Sequence, residues 1–260
     1  MPEFKKYFTL SYDDGLEQDK QTIVLMKKYG IRGTFNLNSA LLGEKSNIEY
    51  TGTIGFKNVD PSIVKKGLIK TAPANRIPAD EIRQVYEGFE LATHGAHHLN
   101  MRKLGKEETE TEILKDREAL AQYTDLPVVG HAFPFGSKSP ALREVLKNNG
   151  FLYARALGST KGKGEDRFAF PENQLDFAPT CWHIDKNIKE LFEEFLSITP
   201  TKGDMLFYMW GHGYEFDFDV MKKREIIKTM EWMFDRVAND DAIISCTNAE
   251  AFMGHSSANT

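Results

Sequence analysis

Two short stretches of this 260-residue chain hold residues whose types and spacing could do chemistry. The first is Ser11-Tyr12-Asp13-Asp14-Gly15. Adjacent carboxylates repel, and placing both near an apolar segment is costly unless positive charge compensates them. A divalent cation would do so, and would let the two groups take different roles. The same residues also suit an Asx-type turn, with Gly15 supplying the turn geometry. The second stretch is His94-Gly95-Ala96-His97-His98. On a helical turn the i, i+4 spacing of His94 and His98 puts both rings on one face, within reach of one ion, with His97 pointing away. No Glu follows His94, so this is not the His-Glu-x-x-His pattern of zinc proteases. A polar surface turn with incidental histidines is the other reading. One carboxylate and two imidazoles leave positions open for water and substrate, as a catalytic metal site requires. Zinc fits such a donor set best, and cobalt, nickel or manganese are compatible with it. His212, between Gly211 and Gly213, is a further candidate proton carrier, with a hydrogen-bonded structural role as the alternative. His131, His183 and His255 carry less signal.

These residues work together only if the fold gathers them. Short β-rich runs alternate with helical patterns along most of the chain. Strands are expected at 7–12, 33–37, 89–92, 127–133, 151–155, 205–210 and 242–245. Helices are expected at 18–29, stopped by Gly30, and at 78–87, 107–123, 139–149, 188–196, about 220–237 and 249–253. Residues 38–75 lack clear periodicity and read as a long insertion. Strand followed by helix, repeated this often, implies parallel strands with right-handed crossovers. No Gly-x-Gly-x-x-Gly follows the first strand, which weakens a dinucleotide-binding reading. The expectation is an α/β fold, a distorted (β/α) barrel of about seven parallel strands, forming one catalytic domain over 1–260. Such barrels keep reactive groups at the C-terminal ends of their strands. Asp13-Asp14, His94, the Phe133-Pro134-Phe135-Gly136 run and His212 all fall there.

Composition narrows the partners. The net charge is −5 and Lys and Arg are not in excess, which argues against a nucleic-acid binder. Phosphoryl transfer fits poorly, since no Gly-rich phosphate cradle with its Lys is present. Two cysteines are too few for a disulfide framework. The N-terminus lacks the apolar core of a signal peptide, and no run approaches the roughly 18 apolar residues of a membrane span. The expected location is the cytoplasm, with no membrane partner, and nothing here indicates the oligomeric state.

The motifs, taken in order, resemble those of the polysaccharide deacetylases of carbohydrate esterase family 4. Ser11-Tyr-Asp-Asp-Gly15 resembles their opening Thr-Phe-Asp-Asp-Gly, and His94-Gly-Ala-His-His98 their His-Ser/Thr-x-x-His. Gly33-Thr-Phe35, Phe89–His94, Phe133–Gly136 and Tyr208–His212 resemble later segments in family order. The resemblance implies a distorted α/β barrel, with Asp13 as general base, Asp14, His94 and His98 as metal ligands, and His212 as general acid. It implies hydrolysis of an acetamide. The tetrahedral oxyanion of that reaction needs a donor besides the metal, and the backbone N–H of Phe135 is the candidate. The chain departs from the family pattern at Gly95, in place of Ser or Thr, and at Ala132, in place of the Arg that holds the base. Asp176, Trp182 and Asp185 compete for the place of a fourth-motif Asp and its Trp. Sugar rings stack on aromatic faces, so Tyr12, Phe135, Trp182, Trp210 and Tyr214 are candidate substrate contacts. A small N-acetylated sugar or related amide is the expected substrate. Alternatives are a non-sugar linear or cyclic amide, or a catalytically silent sugar-binding homologue.

Overall fold

The computed structural model describes residues 4–50, 56–58, 71–217 and 223–258. Its strands are β1 (Lys6–Asp13), β2 (Thr34–Leu37), β3 (Asn47–Tyr50), β4 (Phe56–Asn58), β5 (Thr71–Pro73), β6 (Glu90–Thr93), β7 (Gly130–Ala132), β8 (Tyr153–Arg155), β9 (Cys181–Trp182), β10 (Met205–His212) and β11 (Ile243–Ser245). The helices are α1 (Asp19–Tyr29), α2 (Ile82–Val85), α3 (Lys106–Leu120), α4 (Pro140–Asn148), α5 (Glu165–Phe168), α6 (Ile188–Ser197), α7 (Lys223–Ala238) and α8 (Asn248–Ala258).

Seven parallel strands form a curled half-barrel in the order β8-β7-β6-β2-β1-β10-β9, and β11 pairs with the first residues of β1. This is the distorted (β/α) barrel that the sequence implies. The central strand β1 is buried along its whole length. Its side chains alternate, as a strand requires. Phe8, Leu10 and Tyr12 join the main apolar core, where Phe8 meets Phe192 of α6, Phe207 of β10 and Phe234 of α7. The opposite set, Thr9, Ser11 and Asp13, faces a polar interior. Thr9 donates to Asn248 (2.7 Å), Asn248 donates to the Tyr208 hydroxyl (2.7 Å), and Tyr153 donates to Glu90 (2.9 Å).

Helix ends follow the local sequence. Gly30 ends α1 at φ +67°, its N–H reaching the carbonyls of Met26 and Lys27. Ser139 caps α4 by accepting from the N–H of Leu142 (3.1 Å), with Pro140 at the first helical position.

Four expectations need correction. The helix expected at 78–87 shrinks to Ile82–Val85. The short strand β9 and helix α5 had no periodic signal, being too brief to show one. The 38–75 insertion is not irregular where it is described. β3, β4 and β5 form an antiparallel sheet of their own, and the rest of the insertion, 51–55 and 59–70, lies outside the described residues. Finally, His94 to His98 is not a helical turn but a tight loop, with Gly95 at φ +74° and His98 at φ +52°. Among the described residues no helix is long and apolar enough to cross a membrane.

Candidate active site

The C-terminal ends of β1, β6 and β10 meet at the mouth of the curled sheet. In the β1–β10 register, Asp13 lies opposite His212. Asp14 would point to the other face if the strand continued. It leaves the strand at φ +79° instead, a conformation that Asp tolerates better than most residues, and its N–H is held by the carbonyl of Asn36 (2.9 Å). Both carboxylates therefore reach the mouth.

Asp14, His94 and His98 each offer a ligand atom, and these atoms lie within 4.8 Å of one another. The loop carrying the two histidines is tied down from several sides. The N–H of His94 meets the carbonyl of Leu37 (3.0 Å) and the carboxylate of Asp116 (3.0 Å), and Asn38 donates to the carbonyls of His94 and Gly95 (both 2.8 Å). Gly95 sits at φ +74°, where a side chain is strained, which gives its place in the motif a backbone reason. The carbonyl of Ala132 lies 2.8 Å from Nδ1 of His94. A proton there leaves Nε2 as a lone-pair donor facing the mouth, the orientation a metal ligand needs. His98 packs its ring against Phe135 (4.5 Å) and points Nε2 at Asp14 (3.7 Å). Burial lowers both imidazoles, His98 to about 4 against the pull of Asp14, so both are neutral at pH 7. Neutral imidazoles, one carboxylate and a fixed tautomer fit a divalent ion.

Asp13 is 1% exposed, and its two oxygens each lie 2.5 Å from Nη2 of Arg155. Asn36 donates to it as well (2.8 Å). Burial pushes its carboxyl up, but Arg155, His94 and His212 outweigh that and leave it below the usual range. Arg155 is itself fully buried, with its guanidinium 4.8 Å above the Trp210 ring. Here the structure supplies what the motif lacked. Ala132 on β7 and Arg155 on β8 are register partners, so the cation arrives at the same level from the neighbouring strand.

His212 belongs to a buried polar chain. Its Nδ1 lies 2.8 Å from Glu215 Oε1, and its backbone N–H donates to Oε2 (2.9 Å). Glu215 also accepts from the Trp182 indole (2.9 Å) and contacts Nε2 of His183, whose Nδ1 lies 2.8 Å from the Tyr12 hydroxyl. Burial alone would lower His212, but the charge and hydrogen bond of Glu215 raise it to about 9. Burial alone would raise Glu215, but His183 and His212 hold it near 2. His212 is thus an imidazolium at neutral pH, with Nε2 3.9 Å from Asp13.

The remaining candidates divide. Tyr12 is fully buried in the core and bonded to His183, so it cannot contact substrate. Its position on β1, one residue before Asp13, puts it on the outer face. Trp210 is 7% exposed and stacks on Trp182 (5.6 Å), so the pair forms a wall beside Arg155 and His212. Phe135 is 60% exposed at the rim, at φ +55°. Tyr214 stacks on His212 (4.7 Å) but is 2% exposed. Asp176 pairs with Lys138 and Arg143 away from His212, and Asp185 accepts from the N–H of Trp182, so neither supports His212. Glu215 does. Its signal in the sequence is a carboxylate three residues past a strand-end histidine, a spacing that lets a tight turn bring the two together. His97 pairs with Glu112 on the outside of the loop.

A curled parallel sheet with its polar cluster on the C-terminal rim defines a distorted (β/α) barrel with its candidate site where such barrels carry theirs. The chain belongs to the polysaccharide deacetylase family, whose model matches residues 2–154. Among solved structures it is similar to a Mycobacterium smegmatis protein assigned as a polysaccharide deacetylase, with a TM-score of 0.62 and 13% identity over 99% of this chain and 92% of that one. It is also similar to a family 4 carbohydrate esterase pseudoenzyme from Bacillus anthracis, with a TM-score of 0.51 and 13% identity over 96% and 66% of the two chains. It spans 62% of the length of a Streptococcus pyogenes deacetylase solved with acetate (12% identity, 65% of this chain, TM-score 0.47). No curated protein sequence matches it.

The Asp13–Arg155 pair has a direct consequence for stability. Removing one partner of a buried ion pair strands the other charge. Arg155→Ala should therefore cost roughly 3–5 kcal/mol in denaturant unfolding. Adding Asp13→Asn should recover part of that loss, because the stranded charge is then gone. Independent, additive losses would show that the two residues do not form a pair.

Proposed function

We propose that this chain is a metal-dependent amide hydrolase that removes the acetyl group of an N-acetylated sugar or related small amide. The observation that carries this reading is the convergence of Asp14, His94 and His98 ligand atoms within 4.8 Å, with Asp13 4.0 Å from His94 and 3.9 Å from His212. Family membership supports deacetylation as the reaction class.

Asp14, His94 and His98 would hold the ion, with zinc the best match and cobalt, nickel or manganese compatible. When bound, it supplies a lowered pKa for water and a polarised acyl oxygen. Asp13, ionised and pinned by Arg155, takes the proton of the attacking water. The backbone N–H of Phe135 helps hold the oxyanion. His212, charged through Glu215, gives its Nε2 proton to the leaving nitrogen, without which an amine leaves poorly. The acidic and basic partners are thus held in opposite protonation states by different neighbours, a division that acid–base catalysis needs. Trp182 and Trp210 wall the acyl side, and Phe135 offers a stacking face to a sugar ring.

The fold alone does not separate an enzyme from a silent homologue, since a pseudoenzyme shares it. The missing third-motif Arg favours silence, and the contacts of Arg155 with both Asp13 oxygens support the active reading instead. Asp13→Asn should bind the ion as the parent does and lose about 10²–10⁴-fold in acetate release, the range for removing a general base. Unchanged acetate release in that variant would remove Asp13 from the mechanism.

The pH profile tests the acid. His212 works only while protonated, so the rate should fall as pH rises through about 9. In Glu215→Gln the largest raising charge is gone, only those of Asp13 and Asp14 still oppose burial, and the alkaline limb should move to lower pH. A limb that stays in place would mean that Glu215 does not tune His212.

A further inference from the structure

Arg76 lies beside the candidate metal site, outside every motif that the family resemblance uses. Its backbone is fixed there. Glu17 N–H meets Asn75 O (2.9 Å), Ile77 N–H meets Gly15 O (2.9 Å), and Arg76 N–H meets Glu44 O (2.8 Å). The strip that follows the insertion is thus zipped onto the turn just after Asp13-Asp14. The Arg76 side chain is 11% exposed. Its Nη2 lies 3.3 Å from Asp14 Oδ1 and 3.3 Å from Asn38 Oδ1, both long for charge-assisted bonds. Its Nε is buried with no hydrogen-bond partner among the described residues. Arg155 shares the unpartnered Nε but differs in its grip on its carboxylate, being fully buried, 2.5 Å from both Asp13 oxygens and stacked on Trp210.

Charge matching gives Arg76 a task. The carboxylates of Asp13, Asp14 and Glu215 face the cations Arg155, Arg76 and His212, one for one. A divalent ion on Asp14, His94 and His98 would arrive as excess positive charge in a largely dry site. It would also compete with Arg76 for the Asp14 oxygen that is their nearest shared acceptor. A guanidinium in that position is left with donors to spare and needs a new anion.

We propose that Arg76 is a specificity-determining residue that receives a carboxylate carried by the substrate near its scissile amide. This rests on the amide-hydrolase reading above and narrows it to anionic N-acetylated sugars or amides. A planar carboxylate matches the guanidinium fork bidentately, whereas a neutral sugar leaves the excess charge in place. Asn38, held by its bonds to the His94 and Gly95 carbonyls, keeps the guanidinium turned toward the mouth.

The zinc-loaded chain is tested with N-acetylglucosamine and two anionic counterparts, its 6-carboxylate and its 3-O-lactyl ether. Binding is read by titration calorimetry and turnover by acetate release. At least one anionic sugar should be preferred by roughly tenfold or more, the scale of a hydrogen bond to a charged group. Arg76→Gln should bring that preference close to unity with one zinc still bound per chain, and Arg76→Lys should restore part of it. No preference in the parent chain overturns the proposal. So does an Arg76→Gln variant that loses zinc, or that weakens neutral and anionic sugars by one factor, since either marks Arg76 as a positioning residue for Asp14. Hydrolysis without anionic preference leaves the deacetylase reading standing and removes this one. Arg76-dependent binding of an anionic sugar without acetate release does the reverse.

Discussion

Two neighbouring carboxylates are buried at the end of the central strand, and the rest of the mouth is arranged around their charge. Neither Asp13 nor Asp14 could stay ionised there unaided, because burial favours the neutral form. Arg155 answers the first from β8, and Arg76 answers the second. The different partners give the two groups different work. A carboxylate closed in a short ion pair keeps its shape and charge. One with long contacts, facing two neutral imidazoles, stays ready for an ion.

That separation depends on backbone geometry as much as on side chains. Successive residues of a strand face opposite sides. The positive φ of Asp14 breaks the alternation and turns it back toward the mouth beside Asp13. Gly15 follows at φ +66°, where a Cβ would sit 3.0 Å from Leu37. The Asp-Asp-Gly sequence is therefore both the charge pair and the turn, and the two readings of it are one structure. The histidine loop repeats the device. Positive φ at Gly95 and His98 replaces the helical turn that an i, i+4 spacing suggests, and still brings both rings to one point.

Much of this is legible in the sequence alone. Strand–helix alternation gave the barrel and its parallel sheet, and the strand ends located Asp13, Asp14, His94, His98 and His212 at one mouth. What escaped was whatever depends on lateral register. Arg155 serves Asp13 because β8 lies beside β7 with Arg155 opposite Ala132, and a one-dimensional motif cannot show that pairing. Glu215 lies outside the segment where the family's fourth motif falls, although its place three residues beyond His212 is a local signal. Tyr12 adjoins Asp13 in sequence, which suggests a place at the mouth, yet the alternation of β1 sends it to the core. The β3–β5 sheet was illegible because its strands are short and bound mainly to each other.

The central claim is that Asp14, His94 and His98 close on one cation. The most direct measurement is a cobalt(II) titration of the metal-free chain, followed by visible ligand-field absorption. The account predicts saturation at one equivalent, with bands typical of low coordination number, and their loss in the His94→Ala variant. Absorption that rises without saturating, or that is the same in the variant, would contradict it.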